Sequence, residues 1–135
     1  MRFMLISAIL ASLLSGCASL ERPACISGEQ STVSEVLYFG MAKPAGGIVT
    51  EDEWAAFLRT AVTPRFPAGL TAWPAAGQWR GADGQIVRED SHVLTLLHPA
   101  DASAEREVQA IIAEYKTRFA QEAVLRVKSN VCTSL

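Results

Sequence analysis

Apolar residues recur along this chain at two spacings, one typical of strands and one typical of helices. Short runs rich in β-branched and aromatic residues predict four strands, at residues 34–42, 70–80, 86–98 and 123–131. Between them, apolar residues separated by three and four positions predict two amphipathic helices. The predicted order is therefore strand, helix, strand, strand, helix, strand.

The first helix has the most specific signal in the chain. Thr50 and Glu53 have the spacing of a capping box, in which hydroxyl and carboxylate accept from each other's backbone N–H groups. Pro64 ends this helix, and Asp101 or Ser103 is expected to cap the second one. The apolar face of the first helix is Trp54, Phe57, Leu58, Ala61 and Val62, and that of the second is Val108, Ile111, Ile112, Tyr115 and Phe119.

This order of elements is that of the ferredoxin-like βαββαβ fold. Such a fold has a four-stranded antiparallel sheet of order 4-1-3-2 with two helices on one face. The second strand contains Pro74 and Gly77, so we expect it to be interrupted and to lie at a sheet edge, where proline is tolerated. Asp83 and Gly84 form a favoured hairpin-turn pair between the second and third strands.

The sheet face opposite the helices is expected to be apolar in the middle. A half-exposed strand should alternate apolar and polar residues. The central strands instead place apolar groups on both faces, with Val36, Leu37, Tyr38, Phe39 and Met41 in one and Val93, Leu94, Leu96 and Leu97 in the other. Strand four does alternate, with Leu125 and Val127 against Arg126 and Lys128, which predicts a charged edge. Such a face is typical of a partner or ligand surface, so we expect a homodimer through the sheet or a shallow pocket for a small ligand.

The first 16 residues predict a bacterial lipoprotein signal peptide. Arg2 precedes an apolar run of 12 residues, which is shorter than the ~20 residues of a membrane-spanning helix. The following Leu14-Ser15-Gly16-Cys17 looks like a lipobox, in which the cysteine thiol receives diacylglycerol before the leader is removed.

Lipidation at Cys17 would anchor the exported protein to a lipid bilayer, facing the periplasm. Residues 17–33 are then the lipidated N-terminus and a flexible tether, and residues 34–135 are the folded domain. Ala18 after the cysteine resembles the sorting signal for the outer membrane rather than the inner one.

Cys25 and Cys132 remain after Cys17 is assigned to lipid. Disulfides persist in the oxidising compartment of an exported protein, and the sheet order brings the end of strand four near the chain that enters strand one. A Cys25–Cys132 disulfide is therefore the favoured hypothesis, with two free thiols as the alternative. Since the chain has no Cys-x-x-Cys pair and no nearby cysteine and histidine set, no metal site is predicted.

Composition and motifs restrict the function further. The net charge is −2 and basic residues do not cluster, which argues against a nucleic-acid partner. The chain has no nucleophile-elbow, P-loop or dinucleotide motif, so no cofactor is predicted. Asp90 and His92 have the spacing for a carboxylate that orients an imidazole, although a solvated pair is the simpler interpretation.

A few polar and aromatic residues are candidates for a site. The weak catalytic candidates are Tyr38, Glu89, His98 and Arg126, and the candidate ligand or partner surface consists of Tyr38, Trp79, Arg80 and Arg126. Each also has a structural interpretation, such as packing, hairpin stabilisation or a strand-end position. Direct chelation of one ion by His92 and His98 is excluded if the third strand is straight, because six residues of a strand span ~20 Å.

Several short stretches, taken in order, resemble a family of small bacterial exported proteins catalogued only as domain of unknown function 3574. The stretches are YFG (38–40), VTPRFPAGLT (62–71), GQWRG (77–81), IVRED (86–90), LLHP (96–99), YKTRF (115–119) and QEAVLRV (121–127). The resemblance spans about residues 34–130. It implies an exported or lipid-anchored protein of unassigned activity and assigns no catalytic residue.

Together these features favour a membrane-anchored, non-catalytic periplasmic module that binds a partner or self-associates through its open sheet face. The alternative is a small dimeric ferredoxin-like enzyme, of the isomerase, lyase or monooxygenase type, with a pocket over the sheet. A cavity with converging polar groups would favour the enzyme, whereas a flat apolar face would favour the module.

The lipid anchor is tested by Cys17→Ser. We expect this variant to leave the membrane fraction, because the thiol that receives the lipid is missing. Cell fractionation measures the effect, and mass spectrometry of the wild-type protein should detect a lipidated Cys17 at its N-terminus. Unchanged membrane association of the variant, or a cytosolic protein that retains residues 1–16, would contradict the lipoprotein assignment.

Overall fold

A computed structural model describes residues 24–135, so the signal peptide and Cys17 lie outside the described residues. The strands are β1 (Gln30–Gly40), β2 (Thr71–Arg80), β3 (Ile86–His98) and β4 (Leu125–Thr133). The helices are α1 (Glu51–Phe57), which a π-helical turn (Leu58–Val62) continues, and α2 (Ala102–Phe119). They form one antiparallel sheet of order β2-β3-β1-β4, which is the predicted order 4-1-3-2 in reverse. This confirms the predicted α+β fold of ferredoxin-like type.

The strands differ from the prediction in their bounds and in the continuity of β2, and β4 covers Leu125–Thr133 rather than residues 123–131. Strand β1 begins at Gln30 rather than Ser34, because residues 30–33 pair with 130–133 of β4. Strand β2 is continuous rather than interrupted, and Pro74 lies within the ladder opposite His92. An edge strand needs hydrogen bonds on one side only, which allows it to contain a proline.

The core lies between the helices and one face of the sheet. Leu37 and Phe39 of β1 and Leu94 of β3 are fully buried there, as period-two alternation requires. The ring of Phe39 packs against Tyr115 of α2, with 4.6 Å between centroids. The Tyr115 hydroxyl donates to the Gly40 carbonyl at 2.9 Å, which joins α2 to the end of β1.

The helix termini follow the signals in the sequence. The hydroxyl of Thr50 accepts from the Glu53 N–H at 3.2 Å, and the Glu53 carboxylate accepts from the Thr50 N–H at 2.8 Å, which confirms the capping box. Asp101, not Ser103, caps α2 by accepting from the Ala104 N–H. Within residues 24–135 no helix has the length and hydropathy needed to cross a membrane.

A disulfide joins Cys25 to Cys132, with 5.6 Å between the Cα atoms. It fixes the segment before β1 to the last strand and closes a loop whose ends are 107 positions apart in sequence. A cross-link of this length restricts the unfolded chain strongly.

Replacement of both bridge cysteines by serine should lower the free energy of unfolding by about 2–4 kcal/mol, because the unfolded chain regains the entropy of an open loop. Urea denaturation measures the loss. The wild-type protein under reducing conditions is the control and should match the double variant. Free thiols at both positions in the unreduced protein would show that the bridge does not form.

Candidate functional site

The helix side of β4 carries a charge cluster consisting of Glu35, His98, Glu105, Arg126 and Lys128. Glu35 of β1 is fully buried. Arg126 of β4 donates from Nε to Glu35 Oε2 at 2.7 Å and from Nη1 to Glu105 Oε1 at 2.6 Å. Lys128 Nζ binds Glu105 Oε2 at 2.7 Å. Two strands and α2 are therefore joined through one guanidinium.

His98 completes this cluster. Its Nδ1 lies 2.7 Å from the Pro99 carbonyl oxygen, and its Nε2 lies 3.3 Å from Glu35 Oε1. Since a carbonyl only accepts, Nδ1 is the donor in the first of these contacts. The ring therefore joins the end of β3 to the buried carboxylate.

The charges in the cluster stabilise one another. Hydrogen bonds from Arg126, and then from Lys128, lower the pKa of Glu105. Hydrogen bonds to Glu35, and then to Glu105, raise the pKa of Arg126. Arg126 is therefore a permanent cation held by two carboxylates, which suits a structural role rather than proton transfer.

Arg126 and His98 are thus not placed as the sequence suggested. Both were expected near a pocket or partner surface over the open face, but their side chains lie on the helix side of the sheet, bound to Glu35.

The possible contact between the Asp90 carboxylate and the His92 ring is also not formed. His92 is buried, stacks on Trp54 at 4.6 Å between centroids, and has its Nε2 3.4 Å from Glu51 Oε2.

The opposite face of the sheet, called the open face below, carries an apolar row from edge to edge. Strand pairing aligns Trp73, Val93, Tyr38 and Leu125 in one row across all four strands. Other large apolar residues on this side are partly exposed: Val87, Leu97, Val127 and Trp79.

The expected charged edge at β4 is therefore wrong. Arg126 and Lys128 face the helix side, which leaves Leu125 and Val127 on the open face, 63% and 47% exposed. The reason is the pairing register, in which Leu125 lies beside Tyr38 and Arg126 lies beside the buried Leu37.

A cavity of about 620 Å³ lies at the end of the open face where β1 ends. Its lining includes Tyr38, Trp79, Glu89, Glu122 and Leu125. Two of the catalytic candidates, Tyr38 and Glu89, are thus brought together, and Trp79 joins them. Arg80 is exposed, pairs with Ile86 and projects from the other side of β2, so it does not share a surface with Trp79.

Gly40 provides the space for the carboxylate of Glu89. A Cβ atom at position 40 would lie only 2.3 Å from Glu89 Oε1. Within residues 24–135, neither Glu89 nor Glu122 takes part in an ion pair. The carboxylate of Glu89 is therefore available to a ligand in the cavity.

Sequence reasoning missed Glu35, Gly40 and Glu122. Glu35 did carry a signal, because alternation along the strand places it on the same face as Val33, Leu37 and Phe39. A carboxylate on the buried face of a strand needs a cation as its partner. Gly40 and Glu122 carry no such signal, since their roles depend on how the strand ends converge in space.

Known proteins resemble this chain in fold. A phage SAM lyase in complex with S-methyl-5′-thioadenosine superposes with a TM-score of 0.58 and 17% identity, over 87% of this chain and 97% of that one. CutA from Synechococcus elongatus PCC7942 gives a TM-score of 0.53 and 15% identity, over 78% and 83%. A search of curated proteins gives no match. One family model, described as a protein of unknown function, matches residues 34–135.

The buried ion pair is tested by Arg126→Met. This change leaves Glu35 buried without its cation, and we expect the free energy of unfolding to fall by about 3–5 kcal/mol. Denaturant titration measures the loss. Arg80→Met is the control, since Arg80 is exposed, and it should change stability by less than about 0.5 kcal/mol. Equal, small effects of the two variants would show that the cluster does not stabilise the fold.

Proposed function

Because the chain belongs to the family described as Protein of unknown function (DUF3574), matched over residues 34–135, we propose a function from its own sequence and surfaces. The protein is a lipoprotein held at a bacterial membrane by Cys17, and its open face binds a second copy of the chain. The observation that carries this proposal is the apolar row that crosses all four strands.

The size of the open face supports a dimer. Four strands at ~4.8 Å spacing and about ten residues at ~3.3 Å each give a flat area on the order of 600 Å². The corrugation of side chains increases this value toward the roughly 800 Å² that each partner buries in a standard interface.

The charge distribution favours a second copy as the occupant. Among the strand residues on the open face, Glu89 is the one that carries a charge, and it lies at the cavity end. Two copies can therefore approach through Trp73, Tyr38, Leu125 and Val127 without bringing like charges together. The charged side chains of β4 bind within the cluster on the helix side, so β4 adds no charge to the open face.

Sedimentation of the lipid-free Cys17→Ser protein tests self-association. We expect a dimer that dissociates on dilution, and Leu125→Arg should weaken association at least tenfold, because a buried charge on each copy would lack a partner. Ile26→Arg is the matched control. Ile26 is an exposed apolar residue outside the strands, so this variant should associate normally. A wild-type protein that stays monomeric at every concentration would contradict the proposal.

A small enzyme is the second candidate, and the cavity beside Tyr38 and Glu89 is the observation in its favour. The similar fold of a SAM lyase makes S-adenosylmethionine the first substrate to assay, with S-methyl-5′-thioadenosine as a ligand. Turnover that is lost in Glu89→Gln would favour the enzyme. No turnover together with concentration-dependent dimerisation would favour the binding module.

A further inference from the structure

The cavity at the end of the open face combines aromatic walls with a free negative charge. Trp79 of β2 and Tyr38 of β1 line the same cavity as Glu89, from the two strands on either side of β3. Trp79 pairs with Val87, which is the residue on the same face before Glu89, and Tyr38 pairs with Val93 further along β3. The aromatic faces and the carboxylate all attract positive charge.

The basic residue in the cavity lining that could neutralise Glu89 is already engaged. Lys43 lines the same cavity, but its Nζ lies 2.8 Å from both carboxylate oxygens of Glu53. That contact also lowers the pKa of Glu53, so the Lys43–Glu53 pair stays ionised. Lys43 therefore does not occupy the position beside Glu89 that a cationic ligand would take.

Gly40 leaves room for the Glu89 carboxylate in its present position. With a side chain at position 40, the carboxylate would have to move, because a Cβ atom there would lie 2.3 Å from Oε1. Burial first, and then the charge of Glu89, raises the pKa of Tyr115 beneath this end of the sheet.

We propose that this cavity binds a small organic cation with a planar ring, with its ammonium group at Glu89 and its ring against Tyr38 or Trp79. The volume of about 620 Å³ lies within the ~300–1,000 Å³ of small-molecule sites. The proposal rests on the cavity, which shares Tyr38 and Leu125 with the surface proposed for self-association, so ligand binding and dimerisation are measured separately.

Calorimetric titration of the intact protein with two compounds that share an indole ring but carry opposite charges tests this site. Tryptamine is the cation and indole-3-propionate the matched anion. We expect tryptamine to bind at least tenfold more tightly than the anion, and its affinity to fall as salt concentration rises. Equal affinity of the two compounds, or no heat of binding at millimolar tryptamine, would overturn the proposal.

Two variants test whether tryptamine binds beside Glu89. Glu89→Gln should weaken tryptamine binding about tenfold, the effect of losing one charged contact worth ~1.4 kcal/mol. Gly40→Ala keeps every charge but displaces the carboxylate, and should weaken binding less than Glu89→Gln does, because the end of a flexible side chain can shift. Glu107→Gln is the charge-matched control, because Glu107 pairs with Arg65 away from the cavity, and should bind normally.

Near-UV circular dichroism establishes that each variant is folded before titration. Unchanged affinity in folded Glu89→Gln would place the cation elsewhere and reject the site. Sedimentation of the same samples separates the two proposals, since a monomer that still discriminates tryptamine from indole-3-propionate supports the cavity and contradicts only the dimer.

Discussion

A fully buried carboxylate at position 35 imposes the arrangement of the elements around it. Removing such a charge from water is costly unless a cation and hydrogen bonds replace the lost hydration. Arg126 supplies the cation and His98 the facing ring, while Glu105 balances the remaining charge of the guanidinium. Strand β1 is thereby joined to β3, β4 and α2 at one point.

The need to pair Glu35 with a cation also determines which β4 side chains lie on the open face. Strand β4 is an edge strand, and its helix-side residues near the cluster are Arg126 and Lys128 rather than apolar groups. Once these charges bind Glu35 and Glu105, alternation leaves Leu125 and Val127 for the open face. The contribution of β4 to the apolar surface proposed for self-association thus follows from the pairing of Glu35 with Arg126.

The sequence was sufficient for the element order, the sheet order, the capping box and the cysteine pairing. These depend on signals such as Thr50 with Glu53, the proline in an edge strand, and the antiparallel return of β4 beside β1. The faces of the strands were harder to assign. In β1 both Val36 and Leu37 are apolar, so alternation alone does not say which phase meets the helices. Register decides it, and register is a property of the paired strands. The cavity depends further on how Gly40 and Glu122 converge from different elements.

The disulfide has a consequence for how far the domain could travel from a membrane. Because Cys25 is fixed to Cys132, the distance between a lipid at position 17 and the bridge could not exceed ~28 Å, the fully extended length of the chain between them. Copies held in such a thin layer would meet at a far higher local concentration than in open solution. Reduction of the bridge would move the first fixed residue to Gln30, where pairing with β4 begins, and would lower that local concentration.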